Sequence, residues 1–433
     1  VIERYSLSPM RELWTEEARF RRWVEVERAV ARVQGDLGLI PDEASRAIVE
    51  GLDRVDIPRL IARAKEIEAR IGHDVLSFVR ALEEELGEAG RFVHFGLTSY
   101  DVVDTARSMA MRDALAILID ALDRLRAAVR EKAERYKLTP MVGRTHGVHA
   151  EPITAGLKFL LWYAELSRDR ERLLSAKEAI SVGKISGSVG TYAHLSPEVE
   201  RRVCSLLGLA PAPISNQALQ RDRHAQVLTA LAIVGGTLEK MATEIRNLHR
   251  TEIGELLEGK PHGSSSMPHK RNPSTCETIS GLARLLRANA LAALENMAVW
   301  HEQDLTRSSV ERVVIPDSFL ACHFMVHRMT EVMEDLKVEE ERMRENLGMT
   351  YGAIFSQALL LKLVERGMAR WKAHELVAGL ARRAQEEGVP LGELASRDPE
   401  CSRFLSREEI SGLTDIRYFL RWVEEIFGRL GAG

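Results

Sequence analysis

Across residues 227–248 the apolar positions Val227, Leu231, Val234, Leu238, Met241, Ile245 and Leu248 fall at alternating steps of four and three. That spacing places them on one face of a long packed helix. The same spacing joins Leu115, Leu118, Leu122, Leu125 and Val129, and again Trp23, Val26, Val30, Val33 and Leu37. No stretch of comparable length alternates apolar and polar residues at every second position, as a half-buried strand would. The pattern predicts an all-α protein. The second seam belongs to a predicted helix over residues 99–137, roughly 58 Å long at the helical rise, which exceeds what one small domain covers. Further helices are predicted over residues 153–181, 275–300 and 309–336, and Pro316 is expected to kink or break the last. Long helices with uninterrupted seams predict a bundle that packs against partner chains as well as itself. A three-part organisation follows: a helical segment at 1–97, a long-helix bundle at 98–336, and a second helical segment at 337–433.

Composition supports this picture and narrows the chemistry. The 433 residues include only 30 Gly and 14 Pro, which leaves room for long uninterrupted elements. With 45% hydrophobic and 29% charged residues, disorder and collagen-like repeats are excluded. The net charge of −4 comes from acids and bases mixed along the chain, without the basic face a nucleic-acid partner requires. Cys204, Cys276, Cys322 and Cys401 lie far apart and form no C-x-x-C pair, as expected in a reducing cytoplasm. The chain starts on charged residues, and its most apolar stretch, 227–238, is too short to span a bilayer. A soluble protein without a membrane partner is expected.

Three clusters are not required by helix packing. The first, His94-Phe95-Gly96-Leu97-Thr98-Ser99-Tyr100-Asp101, opens the long helix. Thr98-x-x-Asp101 fits a capping box, and the hydroxyls and free N–H groups of a helix start also fit a carboxylate or phosphate. The second is Gly143-Arg144-Thr145-His146-Gly147-Val148-His149-Ala150-Glu151-Pro152. Gly147 and Pro152 argue against a regular metal-ligand face, whereas a histidine in a polar turn is a natural proton carrier because its ordinary pKa lies near neutrality. Filling or capping the turn is the structural alternative. The third, residues 263–273, reads GSSSMPHKRNP. Its prolines end the preceding helix, and its serines, imidazole and two cations suit a loop that closes over an anionic ligand. Ser274-x-x-Glu277 then fits a capping box for the next helix. Gly183-Lys184-Ile185-Ser186-Gly187-Ser188-Val189-Gly190 looks phosphate-friendly, but Glu178 and Ile185 occupy positions where a P-loop needs Gly and Ser or Thr.

The third cluster resembles the GSSxMPxKxNP signature of the fumarase/aspartase superfamily, whose members reversibly eliminate fumarate or a similar acid from succinyl compounds. The segments HFGLTSYDVVDT, GRTHGVHAEP, GKISGSVGTYA and QRDRHA extend the resemblance over essentially the whole chain. They are similar to the members that act on purine nucleotides. The resemblance implies three helical domains whose central five-helix bundle tetramerises into a twenty-helix core. It also implies active sites shared between subunits of a homotetramer, a small-molecule nucleotide substrate, and no metal or organic cofactor.

The roles follow residue by residue. Elimination beside a carboxylate builds up an aci-carboxylate dianion that needs donors placed beforehand, and the resemblance gives Lys270, Asn272, Thr98 and Ser99 to that task. His146 matches the general acid for the leaving nitrogen, and Glu277 the carboxylate that pairs with it. Chemistry alone would choose His73 or His149 as base. The resemblance instead implies Ser264, with His73 touching substrate. Arg4, Tyr5, Asp74, Gln217, Ser308 and Arg312 match substrate-binding positions, and His94, Thr145 and Met267 join them from the three clusters. Gln303 stands where many members of the superfamily carry Arg, a change a neutral amide cannot compensate; Arg307, one helical turn on, is the cation expected to serve instead. The cycloisomerase that acts on 3-carboxy-cis,cis-muconate also carries MPHKRNP, but GRTHGVHAEP and QRDRHA disfavour it. A purely structural, lens-type role predicts loss of the acid or the loop serine, and His146, Ser264 and Lys270 are all present.

Overall fold

A computed structural model describes residues 2–260, 262–263 and 266–431. Helices dominate it. Near the N-terminus α1 (Glu16–Asp36), α2 (Asp42–Arg54), α3 (Ile57–Ile71) and α4 (Asp74–Leu86) precede the long α5 (Ser99–Arg135). A hairpin, β1 (Pro140–Thr145) and β2 (Val148–Thr154), leads into α6 (Ala155–Ile180). Then come the short α7 (Pro197–Leu206) and the long α8 (Asp222–Leu248), α9 (Ser274–Glu295) and α10 (Ser308–Asp335). Helix α11 (Glu340–Gly348) opens the C-terminal part, followed by α12 (Ser356–Glu365) and α13 (Arg370–Glu387).

The predicted seams are buried. Leu115, Leu118, Leu122, Leu125 and Val129 of α5 are sealed from solvent, as are the seven seam positions of α8. Pro316 neither breaks nor ends α10. One lost N–H is a small fraction of the bonds in a helix this long, and Val314, Ile315, Phe319 and Leu320 pack it in place on either side of the proline. Among the described residues no single helix is long and apolar enough to cross a membrane.

The chain divides into two compact units, and each of α5, α6, α8, α9 and α10 contributes to both. Unit 1 comprises residues 1–123, 168–238 and 281–327. Its core joins Phe20, Trp23, Val26 and Val30 of α1 to Ile48 of α2, Leu60 of α3, Phe78 and Leu82 of α4, and Val199 and Val203 of α7. Phe20, Trp23 and Phe78 meet with centroids 5.3 to 5.7 Å apart. Truncating such a ring costs about 3 to 5 kcal/mol. Gly72, at φ 69°, closes α3 in the left-handed region, and His73 follows as N-cap of α4, accepting from the Leu76 N–H. The chain therefore turns sharply at a point where two chemically useful side chains, His73 and Asp74, emerge.

Unit 2 comprises residues 124–167, 239–280 and 328–433. Leu359 and Leu363 of α12, Val377 and Leu380 of α13, Leu391 and Cys401 form its main core. Val142 of β1 packs separately with Leu347 of α11 and Ile354.

Candidate active site

Unit 1 holds a cavity of about 790 Å³ into which four separate segments bring residues singled out in the sequence: His73 and Asp74, Thr98 and Ser99, Gln217, and Ser308 with Arg312 of α10. Asp74 pairs with Arg312. Burial pushes the Asp74 carboxyl up, but Arg312 outweighs it and holds the group below the ordinary range. His73 is half exposed, its Nδ1 capping α4 at 3.2 Å from the Leu76 nitrogen.

Asp101 fixes the start of α5. One carboxylate oxygen accepts from the Thr98 N–H at 2.8 Å, the reciprocal half of the expected capping box. The other accepts from the Ser186 and Gly187 N–H groups at 3.1 and 3.3 Å and from Lys184 Nζ. Lys184 is fully buried, so the glycine-rich stretch at 183–190 is tied to α5 through a lysine committed to Asp101. His94 does not line the cavity. It adopts a left-handed φ of 59°, and its Nδ1 lies 2.7 Å from Glu27 Oε1. Arg4 and Tyr5 sit in a short turn with no buried residue, the Tyr5 ring edge-to-face with Phe324 at a centroid separation of 5.3 Å.

A charged network that sequence reading missed starts at the cavity wall, with Arg107 and Glu311, and extends behind it. Arg221 forks onto Asp104 at 2.7 and 2.9 Å and reaches Glu311 at 2.5 Å, and Arg107 also donates to Glu311. Burial raises the Glu311 carboxyl, but Arg107 and Arg221 pull it down to about 2. His224, buried beside them, is pushed down to about 3, by burial first and then by Arg221. Arg307 belongs to this network and does not line the cavity. It is 3% exposed, donates to Gln303 Oε1, stacks 5.8 Å over Tyr100 and approaches Glu311 to 4.0 Å. The expectation that Arg307 replaces a missing anion contact is therefore corrected. A neutral carbonyl at 303 is the acceptor that a buried guanidinium at 307 requires.

Unit 2 carries the other candidates. Thr145 and Val148 pair across a two-residue connection in which His146 and Gly147 take φ of 54° and 77°. Positive φ at both positions is the type I′ geometry that matches strand twist. His146 thus stands, exposed, at the tip of a hairpin. At the base of the tip Arg144 grips Glu255 with two bonds of 2.8 Å. His149 faces Arg144 across the ladder, and burial, then Arg144, keep its pKa below the ordinary value.

Residues His262 and Gly263 pair with Arg271 and Asn272, closing the third cluster at its base. Met267 and Lys270 are exposed within it, joined by a Lys270 N–H to Met267 carbonyl bond of 3.1 Å. Ser264 lies outside the described residues. Helix α9 is not capped as Ser274-x-x-Glu277 suggested. The Glu277 N–H donates to the Pro273 carbonyl, while the buried Glu258 takes the Thr275 and Cys276 N–H groups at 3.2 and 3.1 Å. A carboxylate from another segment satisfies the helix start and leaves Glu277 exposed.

The sequence profile of a family described as "Lyase" matches residues 3–286, and that of "Adenylosuccinate lyase C-terminus" matches residues 352–430. An adenylosuccinate lyase of Thermotoga maritima is 46% identical with 99% of each chain covered, and one of Bacillus subtilis is 45% identical with 100% of each covered. Among solved structures, a fumarate lyase of a Mesorhizobium species superposes with a TM-score of 0.89 at 30% identity, covering 99% of both chains. A 3-carboxy-cis,cis-muconate lactonizing enzyme of Pseudomonas putida does so with a TM-score of 0.88 at 29% identity, covering 98% of this chain and 96% of that one. With a signature loop, a hairpin-borne histidine and relatives alike over their whole length, the chain belongs to the adenylosuccinate lyase family of the fumarase/aspartase superfamily.

Proposed function

We propose that the protein eliminates fumarate from adenylosuccinate, leaving AMP, and from succinylaminoimidazole carboxamide ribotide, leaving AICAR. The convergence of His73, Asp74, Thr98, Ser99, Gln217, Ser308 and Arg312 on one cavity carries the reading. In the reaction Ser264 takes the proton from the carbon beside a carboxylate of the succinyl group. The C–H electron pair is held first as the aci-carboxylate and then forms the new double bond as the C–N bond breaks, while His146 gives a proton to the departing nitrogen. Lys270, Asn272 and the helix start at Thr98 and Ser99 stabilise the dianion between the two events. Glu277, exposed rather than committed to its helix end, is available to pair with His146.

The active form in this reading is a cytoplasmic homotetramer whose twenty-helix core joins the 98–336 segments, with 1–97 and 337–433 as flanking domains and each site assembled from three subunits. Leu291, Leu294 and Met297, 46 to 59% exposed near the end of α9, are apolar surface of the kind such a core covers. Fumarate release, followed by its ultraviolet absorbance with adenylosuccinate as substrate and argininosuccinate and carboxymuconate as controls, tests the assignment. Turnover of a control in preference to adenylosuccinate refutes it.

A further inference from the structure

Two-stranded hairpins are marginal by themselves, yet this one must hold a side chain in a fixed direction at its tip. Its register shifts between Val142 and Arg144, a bulge of the kind that re-aims side chains. Arg144 is the first paired residue after the bulge and stands two positions before His146. Its Nη1 and Nη2 each donate to one oxygen of Glu255 at 2.8 Å. A fork of this kind fixes orientation as well as distance.

Glu255 is itself immobilised. It is fully buried, Asn346 of α11 donates to its Oε1 at 2.7 Å, and its backbone bonds to the Leu248 carbonyl and the Glu339 N–H. The segment before it is held by Arg342, which donates to the Glu252 and Ile253 carbonyls at 3.0 Å. A carboxylate with three donors and no exposure is a costly arrangement unless its geometry matters.

We propose that Glu255 and Arg144 are positioning residues for the general acid: the buried pair anchors the bulged strand and so fixes the direction in which the type I′ tip presents His146. The proposal rests on the reading of His146 as the acid. Neither residue touches substrate, so their effect passes through His146. It should fall on turnover and leave substrate binding largely intact.

A double-mutant cycle tests this, with fumarate release from adenylosuccinate as the readout. Glu255→Gln keeps the shape of the side chain and removes the charge that holds the fork. It should lower kcat by about tenfold to a hundredfold with KM within about twofold. In a His146→Asn background it should cost almost nothing further, because a positioning residue has no effect once the group it positions is gone. Should Glu255→Gln fail to fold, Arg144→Lys keeps the charge, loses the fork, and should show the same loss confined to kcat. Equal losses in the two backgrounds, a change mainly in KM, or unchanged kcat in both variants beside an inactive His146→Asn would overturn the positioning role. Full activity in His146→Asn alone would instead remove the acid assignment.

Discussion

His146→Asn separates the chemistry of this histidine from its place in the turn. The residue occupies the first central position of a type I′ connection with φ 54°, followed by Gly147 at 77°, and Asn-Gly is the pair that this turn favours most. Left-handed backbone costs an ordinary L-residue roughly 1 to 2 kcal/mol, and asparagine bears less of that cost than most. The substitution should therefore leave stability unchanged or raise it by up to about 1 kcal/mol. The exposed side chain takes little buried contact with it. Activity should respond quite differently. Loss of a positioned general acid lowers turnover by about a hundredfold to ten-thousandfold, equivalent to about 2.7 to 5.5 kcal/mol in the barrier. Thermal denaturation and fumarate release measured on the same preparations read the two effects. Glutamine, though nearer in volume, would add a turn defect to the chemical one. A variant that loses stability together with activity would show His146 to be a turn residue, and one that keeps wild-type turnover would remove it from the mechanism.

Ser264→Ala should abolish turnover while adenylosuccinate still binds, as titration calorimetry would register; an active Ser264→Ala beside an inactive His149→Ala would transfer the role of base. Gln303→Arg should destabilise the fold by about 2 kcal/mol, because Arg307 loses its acceptor and gains a like charge, and the penalty should vanish in an Arg307→Ala background; denaturant unfolding of the two variants decides it. Burial lowers the His94 imidazole, but Glu27 outweighs it and raises the group above its ordinary value. Its contribution is therefore complete below the unfolded pKa of about 6.5 and fades as pH rises through the higher folded value. The stability difference between wild type and His94→Asn should shrink from pH 6 toward pH 8, and a difference that grows would contradict the Glu27 pairing.

The helices were legible because a strict step of four and three survives in sequence: each residue of the α8 seam proved buried. The hairpin was not. Pro140, Gly143 and Pro152 interrupt β1 and β2, and neither strand alternates cleanly, so the segment read as a polar turn. The His146-Gly147 pair was the available signal, since X-Gly between two short runs fits a two-residue connection. Buried charges were less legible still. Asp104, Arg107, Arg221 and Glu311 look like surface residues in isolation, and become interior ones because segments distant in sequence bring them to satisfy one another. The capping of α9 by Glu258, 17 and 18 residues upstream of the N–H groups it serves, leaves no local pattern at all. The nearby Ser274-x-x-Glu277 supplied a false one.

Around the cavity of unit 1 the placement of the candidate residues follows one physical rule. His73 caps α4, Ser99 opens α5, and Ser308 opens α10, so three cavity-lining residues sit where helices leave N–H groups unsatisfied and the dipole favours negative charge. Apolar seams fill the middles of the long helices, and no candidate residue falls on them. Packing and the proposed substrate contacts thus draw on separate positions of the same helices, and substitutions at the ends can alter the cavity without disturbing the core. A solved lactonizing enzyme with nearly the same fold at 29% identity fits such a separation. For an anionic substrate bearing both carboxylates and a phosphate, several helix starts around one cavity supply oriented donors without adding a buried cation for each charge. Arginines that do reach the cavity are held by carboxylates, Arg312 by Asp74 and Arg107 by Glu311 at the wall.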